Sequence, residues 1–227
     1  MKLLKTYIIA EAGINHNGNY KMAINLVDIA KKSGADAIKF QVFIPKDVVI
    51  PSADTAKYAI KNMKVKKKQL DVIKKYSLSF SQHLKLMKYC KRKKIKYLCS
   101  AFDLKSLNFL NKNKIDIFKV PSGEITNYPY LKLLGSFKKK IILSTGMANL
   151  QEIKNALRIL VKNGTKRKNI TILHCHTDYP TEPKNVNLLA MNELKKKFKI
   201  QVGLSDHTPG IEVAMAAVAL GAKIIEK

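Results

Sequence analysis

Ile8-Ile9-Ala10-Glu11-Ala12-Gly13-Ile14-Asn15-His16-Asn17-Gly18 starts as a buried-strand pattern and stops in a carboxylate followed by an Asn/His/Gly turn. A parallel α/β sheet presents its chemistry in this way, at the carboxyl ends of its strands. Outward from this stretch, short apolar or β-branched runs alternate with amphipathic ones. The pattern predicts strands at Tyr7–Ala10, Ala37–Phe40, Lys96–Ser100, Ile115–Val120, Lys140–Ser144, Ile170–Cys175, Ile200–Leu204 and Lys223–Glu226. Helices such as Tyr20–Lys32, Ser81–Lys93, Leu150–Asn163 and Ile211–Leu220 fall between them, with Ser33-Gly34 and Asn163-Gly164 as C-terminal stops. Strict alternation predicts an α/β fold closed as a (β/α)8 TIM barrel, one domain over residues 1–227. Residues 44–68, with Pro45 and Pro51, read as a long βα connection of the kind that carries a substrate loop.

With 227 residues and 46% hydrophobic content, the chain can bury the core of one such barrel. Cys90, Cys99 and Cys175 have no CxxC spacing, which argues against a disulfide framework or a zinc ribbon and predicts a reducing, cytoplasmic setting. The apolar stretch near the N-terminus is interrupted by Thr6 and ended by Glu11, too short and polar for a signal-peptide core. No run approaches the roughly 20 apolar residues of a membrane span, so no membrane partner is expected. The net charge of +27 raises the question of nucleic acid. Against it, Arg occurs only at 92, 158 and 167, and no aromatic residues interleave with the lysines for base stacking. The runs Lys66–Lys68, Lys91–Lys94, Lys138–Lys140 and Lys195–Lys197 fall on predicted helix exteriors and turns. A solvated lysine surface without a specific nucleic-acid partner is the expectation.

The strand ends carry the chemistry. Glu11 can act as a general acid or base or orient a sugar hydroxyl, although Asn15-His16-Asn17-Gly18 also reads as a plain turn and helix cap. Lys39 interrupts an apolar run before Gln41, and Lys119 repeats this in Phe118-Lys119-Val120-Pro121-Ser122-Gly123-Glu124. An ammonium inside a strand is costly without an anion, so two of them with Ser122 suggest a bound multi-anion such as a phosphate with a carboxylate. Ser144-Thr145-Gly146-Met147 can hold phosphate oxygens ahead of a helix N-terminus. His174 and His176 share a strand face and are readable either as a metal pair or as polar packing. In Ser205-Asp206-His207-Thr208, His207 is a candidate metal ligand at the barrel mouth.

Six blocks, IIAEAGINHNG, GADAIKFQ, FKVPSGEITNYP, IILSTGMANL, HCHTDYPT and VGLSDHTPGIEVAMAAVALGAKIIEK, occur in this order across residues 7–227. Together they resemble the sialic acid synthase family, and several are closer to its N-acetylneuraminate and N,N'-diacetyllegionaminate branch than to the pseudaminic branch. The resemblance implies condensation of phosphoenolpyruvate with an open-chain N-acetylated amino sugar, ManNAc or a 2,4-diacetamido-trideoxy hexose. The product would be a nine-carbon 2-keto acid, with release of phosphate. By position, Lys39, Ser100, Lys119, Ser122, Ser144 and Ser205 would bind phosphoenolpyruvate. Glu11 would handle protons or water at the reacting carbon, while Gln41, Glu124 and Tyr179 would contact the sugar. His207 matches one of two histidines that hold a divalent metal, manganese or magnesium, which would polarise the aldehyde oxygen. The resemblance also implies a homodimer.

Departures from the family pattern follow. The second metal histidine belongs to a His-Phe-Thr block expected directly after Glu226-Lys227, and the family's C-terminal antifreeze-like domain is expected to be absent. With one metal ligand and no lid, slow or no turnover is the expectation. Cys99-Ser100-Ala101-Phe102 stands where relatives often read Ser-Thr-Pro-Phe, and Thr177 stands at a position that is Asn in some. Two other readings remain: a non-catalytic barrel that binds phospho-ligands or pairs with a full-length subunit, and a lysine-rich nucleic-acid binder.

Overall fold

The structure, a computed structural model, describes residues 5–55 and 68–227. Strands β1 (Tyr7–Gly13), β2 (Ala37–Val42), β3 (Lys96–Ala101), β4 (Ile117–Val120), β5 (Lys140–Ser144), β6 (Ile170–Cys175), β7 (Gln201–Ser205) and β8 (Ile224–Glu226) pair in parallel, in chain order. Pairing of β8 with β1 closes the barrel. Helix α1 (Tyr20–Lys32) follows β1. Helices α2 (Pro45–Val48), α3 (Gln69–Tyr76) and α4 (Phe80–Arg92) lie between β2 and β3. Then α5 (Leu104–Lys112), α6 (Tyr128–Ser136), α7 (Leu150–Lys162), α8 (Leu189–Phe198) and α9 (Glu212–Ala219) each follow one strand. The eight expected strands are all present. The long connection after β2 falls partly outside the described residues, as do Lys66 and Lys67 of the first lysine run. No helix among the described residues is long and apolar enough to cross a membrane.

Local signals set the boundaries. Asn19 caps α1 by accepting from the Met22 amide, and Ser79/Gln82 and Asn149/Glu152 form reciprocal capping boxes on α4 and α7. Each such cap is worth about 1 kcal/mol. Gly34 (φ +79°) and Gly164 (φ +118°) supply the turns that end α1 and α7. Strand β4 starts at Ile117, not at Ile115 as the apolar run suggested. The Ile115 amide is spent on the Leu110 carbonyl at the end of α5, so it has no donor for a ladder.

The barrel interior is layered. Ile9, Ala37, Leu98, Ile142, Leu173 and Ile224 form an apolar plug. Side chains alternate along a strand, so the next inward positions lie two residues on. Those positions are Glu11, Lys39, Ser100, Ser144, Cys175 and Glu226, joined by Lys119 and Ser205. The plug therefore serves as a dry floor for a polar layer at the strand carboxyl ends.

Gly203 of β7 is tightly enclosed: a Cβ there would sit 2.3 Å from the Ile224 carbonyl oxygen and 2.8 Å from Leu173 Cδ2. A methyl group would have to push apart the backbone of the strand pair next to the β8–β1 closure. Gly203→Ala is expected to cost roughly 2 kcal/mol or more, read as a lower denaturant midpoint. An unchanged midpoint would mean that β8 has room to move.

Candidate active site

Strand register places the polar layer. Glu11 lies opposite Lys39, Ser100 opposite Lys119, and Ser205 opposite Glu226. Lys39 Nζ pairs with Glu11 Oε2, stands 3.4 Å from Ser100 Oγ and 3.8 Å from Glu226 Oε2. Lys119 Nζ is 3.3 Å from Glu226 Oε1, which also accepts from Ser205 Oγ at 2.8 Å. Ser205 Oγ lies 3.3 Å from His207 Nε2, and the Tyr179 ring stacks on the His207 ring at 4.0 Å. Lys39, Lys119 and Glu226 are each 4% exposed, so two ammonium groups and one carboxylate share a nearly dry space, with the half-buried Glu11 carboxylate at its edge.

Their environments push the two carboxylates apart. Burial and the charge of Glu226 raise Glu11, and Lys39 offsets this only in part. Burial also works against the charged form of Glu226, but Lys119 and Lys39, with Ser205 donating to it, outweigh burial and lower its pKa. Desolvation disfavours the charge on Lys39, yet Glu11 and Glu226 together hold its pKa above the ordinary lysine value. Of the two acids, Glu11 is thus the one suited to carry a proton, and Glu226 the one that stays ionised. Burial lowers the pKa of His207 and so favours its neutral ring.

Four buried polar atoms of this cluster lack any hydrogen-bond partner: Glu11 Oε1, Ser144 Oγ, His207 Nδ1 and Glu226 Oε2. Buried polar atoms are rarely left unpaired without reason, and a group of them around paired charges marks a place for a ligand. Gly146 belongs to the same wall. A Cβ there would be 2.9 Å from Ser122 Oγ, so the loop after β5 presses on the turn Ser122–Glu124 that follows β4.

The predicted site residues divide into two groups. Glu11, Lys39, Ser100, Lys119, Ser144, Ser205 and His207 come together in or above the polar layer, with Ser122 at its edge. Gln41 lies beside Glu11 and Gly13. Glu124 sits half-buried at the rim, where Asn127 Nδ2 donates to its Oε2 at 2.6 Å, and burial raises its pKa. Tyr179 reaches over from the loop after β6. The metal-pair reading of His174 and His176 is not borne out. His174 Nε2 contacts the Val186 carbonyl at 2.6 Å, whereas His176 Nδ1 accepts from the Asp178 amide at 3.1 Å.

Glu226 escaped the sequence reading, although its signal was visible: a carboxylate ending β8 as Glu11 interrupts β1. Also unforeseen is a buried imidazole pair behind the first loop. His16 accepts from the Gly18 amide at 3.1 Å, so the Asn-His-Asn-Gly turn is a structural latch. His83 Nδ1 meets the Tyr97 hydroxyl at 2.8 Å. Burial first, and nearby His16, push the His83 pKa down to about 4 from 6.5. Between these values the unfolded chain binds the extra proton, so stability is lost as pH falls through the window. The expected loss is roughly 3 kcal/mol. Denaturant midpoints at neutral and acid pH should differ less in a His83→Gln variant; equal differences would refute the assignment.

A family model described as the NeuB family matches residues 26–227. The chain is 52% identical over 223 residues to N,N'-diacetyllegionaminic acid synthase of Campylobacter jejuni, covering 98% of this chain and 67% of that protein. It is 40% identical to the enzyme of the same name from Legionella pneumophila, covering 97% of this chain and 63% of that one. The fold superposes with TM-score 0.85 and 32% identity on an N-acetylneuraminic acid (sialic acid) synthetase from Leptospira borgpetersenii, covering 98% of this chain and 72% of that structure. The chain therefore spans about two thirds of the length of these relatives. It belongs to the NeuB family.

Proposed function

We propose that this barrel is a sialic-acid-type synthase, condensing phosphoenolpyruvate with an open-chain N-acetylated amino sugar. The observation that carries the reading is the buried layer in which Lys39 and Lys119 face Glu11 and Glu226 beside unpaired polar atoms. Phosphoenolpyruvate brings a phosphate and a carboxylate, which match two ammonium groups and the hydroxyls of Ser100, Ser122, Ser144 and Ser205. The enol carbon forms a bond to the aldehyde carbon. Water then adds to the carbon bearing the phosphate, and phosphate leaves. Glu11, the most exposed of the four charged groups at 30%, exchanges the proton. Glu226 lies within ion-pair distance of both lysines and holds them aimed inward. Gln41, Glu124 and Tyr179, around the mouth, are assigned to the sugar.

The residues present fit a divalent metal, manganese or magnesium, as one ligand only. Burial favours the neutral ring of His207, and its Nδ1 is buried without a partner. No group of three His, Cys, Asp or Glu side chains able to hold an ion occurs among the described residues. Bound there, the metal would supply Lewis-acid polarisation of the aldehyde oxygen. Manganese is expected to raise the melting temperature of the chain and to lose that effect in His207→Ala; an equal rise in both would move the metal elsewhere. With this function go small-molecule substrates, a homodimer and a cytoplasmic location.

The decisive experiment measures phosphate release from phosphoenolpyruvate with each amino sugar in turn. Release that requires both substrates supports the reading, and release indifferent to the sugar refutes it. Phosphoenolpyruvate binding without release favours the second reading, a non-catalytic phospho-ligand barrel.

A further inference from the structure

In a closed parallel barrel every helix hands the chain to the next strand at the same end, opposite the active-site mouth. Seven such turns, residues 31–36, 91–96, 112–116, 138–140, 162–168, 195–201 and 220–223, hold 21 of the chain's 43 Lys and Arg but two of its 16 Asp and Glu. All of these basic residues are exposed or half-buried. Among the described residues, two of them, Lys93 and Lys96, pair with a carboxylate, that of Asp28 and of Asp116.

Helix C-termini favour a cation in the last turn, which accounts for Lys31, Lys32, Lys91, Arg92, Lys112, Lys162 and Lys195 to Lys197. It does not account for Lys138, Lys139, Lys166 and Lys168, which lie past the helix ends, nor for the scarcity of acids. About half of the chain's basic residues are therefore gathered on one face of the solvated lysine surface.

We propose that this face docks on an anionic membrane surface, leaving the active-site mouth turned toward solvent. The inference is independent of the reaction proposed above and revises the expectation of no membrane partner. Three observations favour a lipid leaflet over nucleic acid. The charge is carried by Lys except at Arg92 and Arg167, so it consists of point charges, not of forked guanidinium groups suited to bidentate phosphate contacts. It is distributed over turns right around the barrel axis, a disc suited to a plane and not a stripe that tracks a strand. The exposed large aromatics among the described residues, Tyr128 and Tyr179, follow strand carboxyl ends on the opposite side, and the half-buried Tyr89 ring beside the basic face is already faced by Arg92 and Lys93. Each lysine held near an anionic leaflet strengthens association several-fold, within a screening length of about 8 Å at physiological salt.

The test is co-flotation of the full chain with phosphatidylcholine vesicles containing a minority of phosphatidylglycerol, at roughly 0.15 M salt. Binding is expected to these vesicles and not to pure phosphatidylcholine. Two quadruple variants carry the same change in net charge: Lys166→Glu, Lys168→Glu, Lys196→Glu and Lys197→Glu on the basic face, and Lys21→Glu, Lys85→Glu, Lys132→Glu and Lys154→Glu on helix flanks. The first should weaken vesicle binding at least about tenfold and the second less than about threefold. Circular dichroism checks that both fold, and Gln at the same positions gives the same comparison should either misfold. Equal loss in both, no binding to the anionic vesicles, or tighter binding to duplex RNA than to the vesicles overturns the proposal. The last outcome would make the face a nucleic-acid surface.

Discussion

Lys119→Ala should weaken phosphoenolpyruvate binding ~10-fold or more and destabilise the barrel. Lys119 is the closest cation to Glu226, at 3.3 Å, with Lys39 farther away at 3.8 Å. Its removal takes away one of two ammonium groups offered to the anion and leaves a buried carboxylate half-compensated. Breaking one side of a buried ion pair costs about 3 to 5 kcal/mol. Losing a charge-assisted contact to substrate is expected to weaken binding by a further ~10-fold or more. The two losses can be separated. In Lys119→Ala with Glu226→Gln the stranded charge is gone, so the melting temperature should recover much of its fall while binding stays weak. Recovery of binding together with stability would mean that Lys119 only props the fold.

Glu11→Gln should separate chemistry from binding in the opposite direction. The substitution removes a negative charge from the layer and frees Lys39 from its direct partner, so affinity for phosphoenolpyruvate should hold or rise. Turnover should fall about 100- to 10,000-fold, the range for losing a general acid or base. Because burial and Glu226 raise the Glu11 pKa, the wild-type rate should also carry a titration above the ordinary carboxylate range, and the variant should lack it. A variant with reduced affinity and unchanged turnover would assign Glu11 to substrate holding instead.

Much of this arrangement was legible because lysines inside β-branched runs are so costly that they demand an anion. Lys39 and Lys119 could be read in that way before any strand was paired. Glu226 carried a weaker signal, because the end of an apolar run is an ordinary place for a glutamate, and only closure of β8 against β1 and β7 brings it between the lysines. The serines assigned to phosphoenolpyruvate were legible near strand ends, but not the thiol of Cys175, which takes the Gly146 amide at 3.1 Å in the same wall. His83 was invisible for a different reason. A lone histidine on an amphipathic helix looks alike whether it faces solvent or, as here, the Tyr97 hydroxyl. The start of β4 was misread because apolar character alone does not tell a ladder residue from one whose amide closes the preceding helix.

The two-residue step from apolar plug to polar layer has an implication for how such enzymes diversify. The charged groups assigned to the donor are clamped by barrel register, while of the three residues assigned to the acceptor Glu124 and Tyr179 sit on connecting segments above it and only Gln41 lies on a strand. Donor recognition and acceptor choice are then separable inheritances: the mouth can be rewritten for a new sugar while the strands continue to demand the same three-carbon partner.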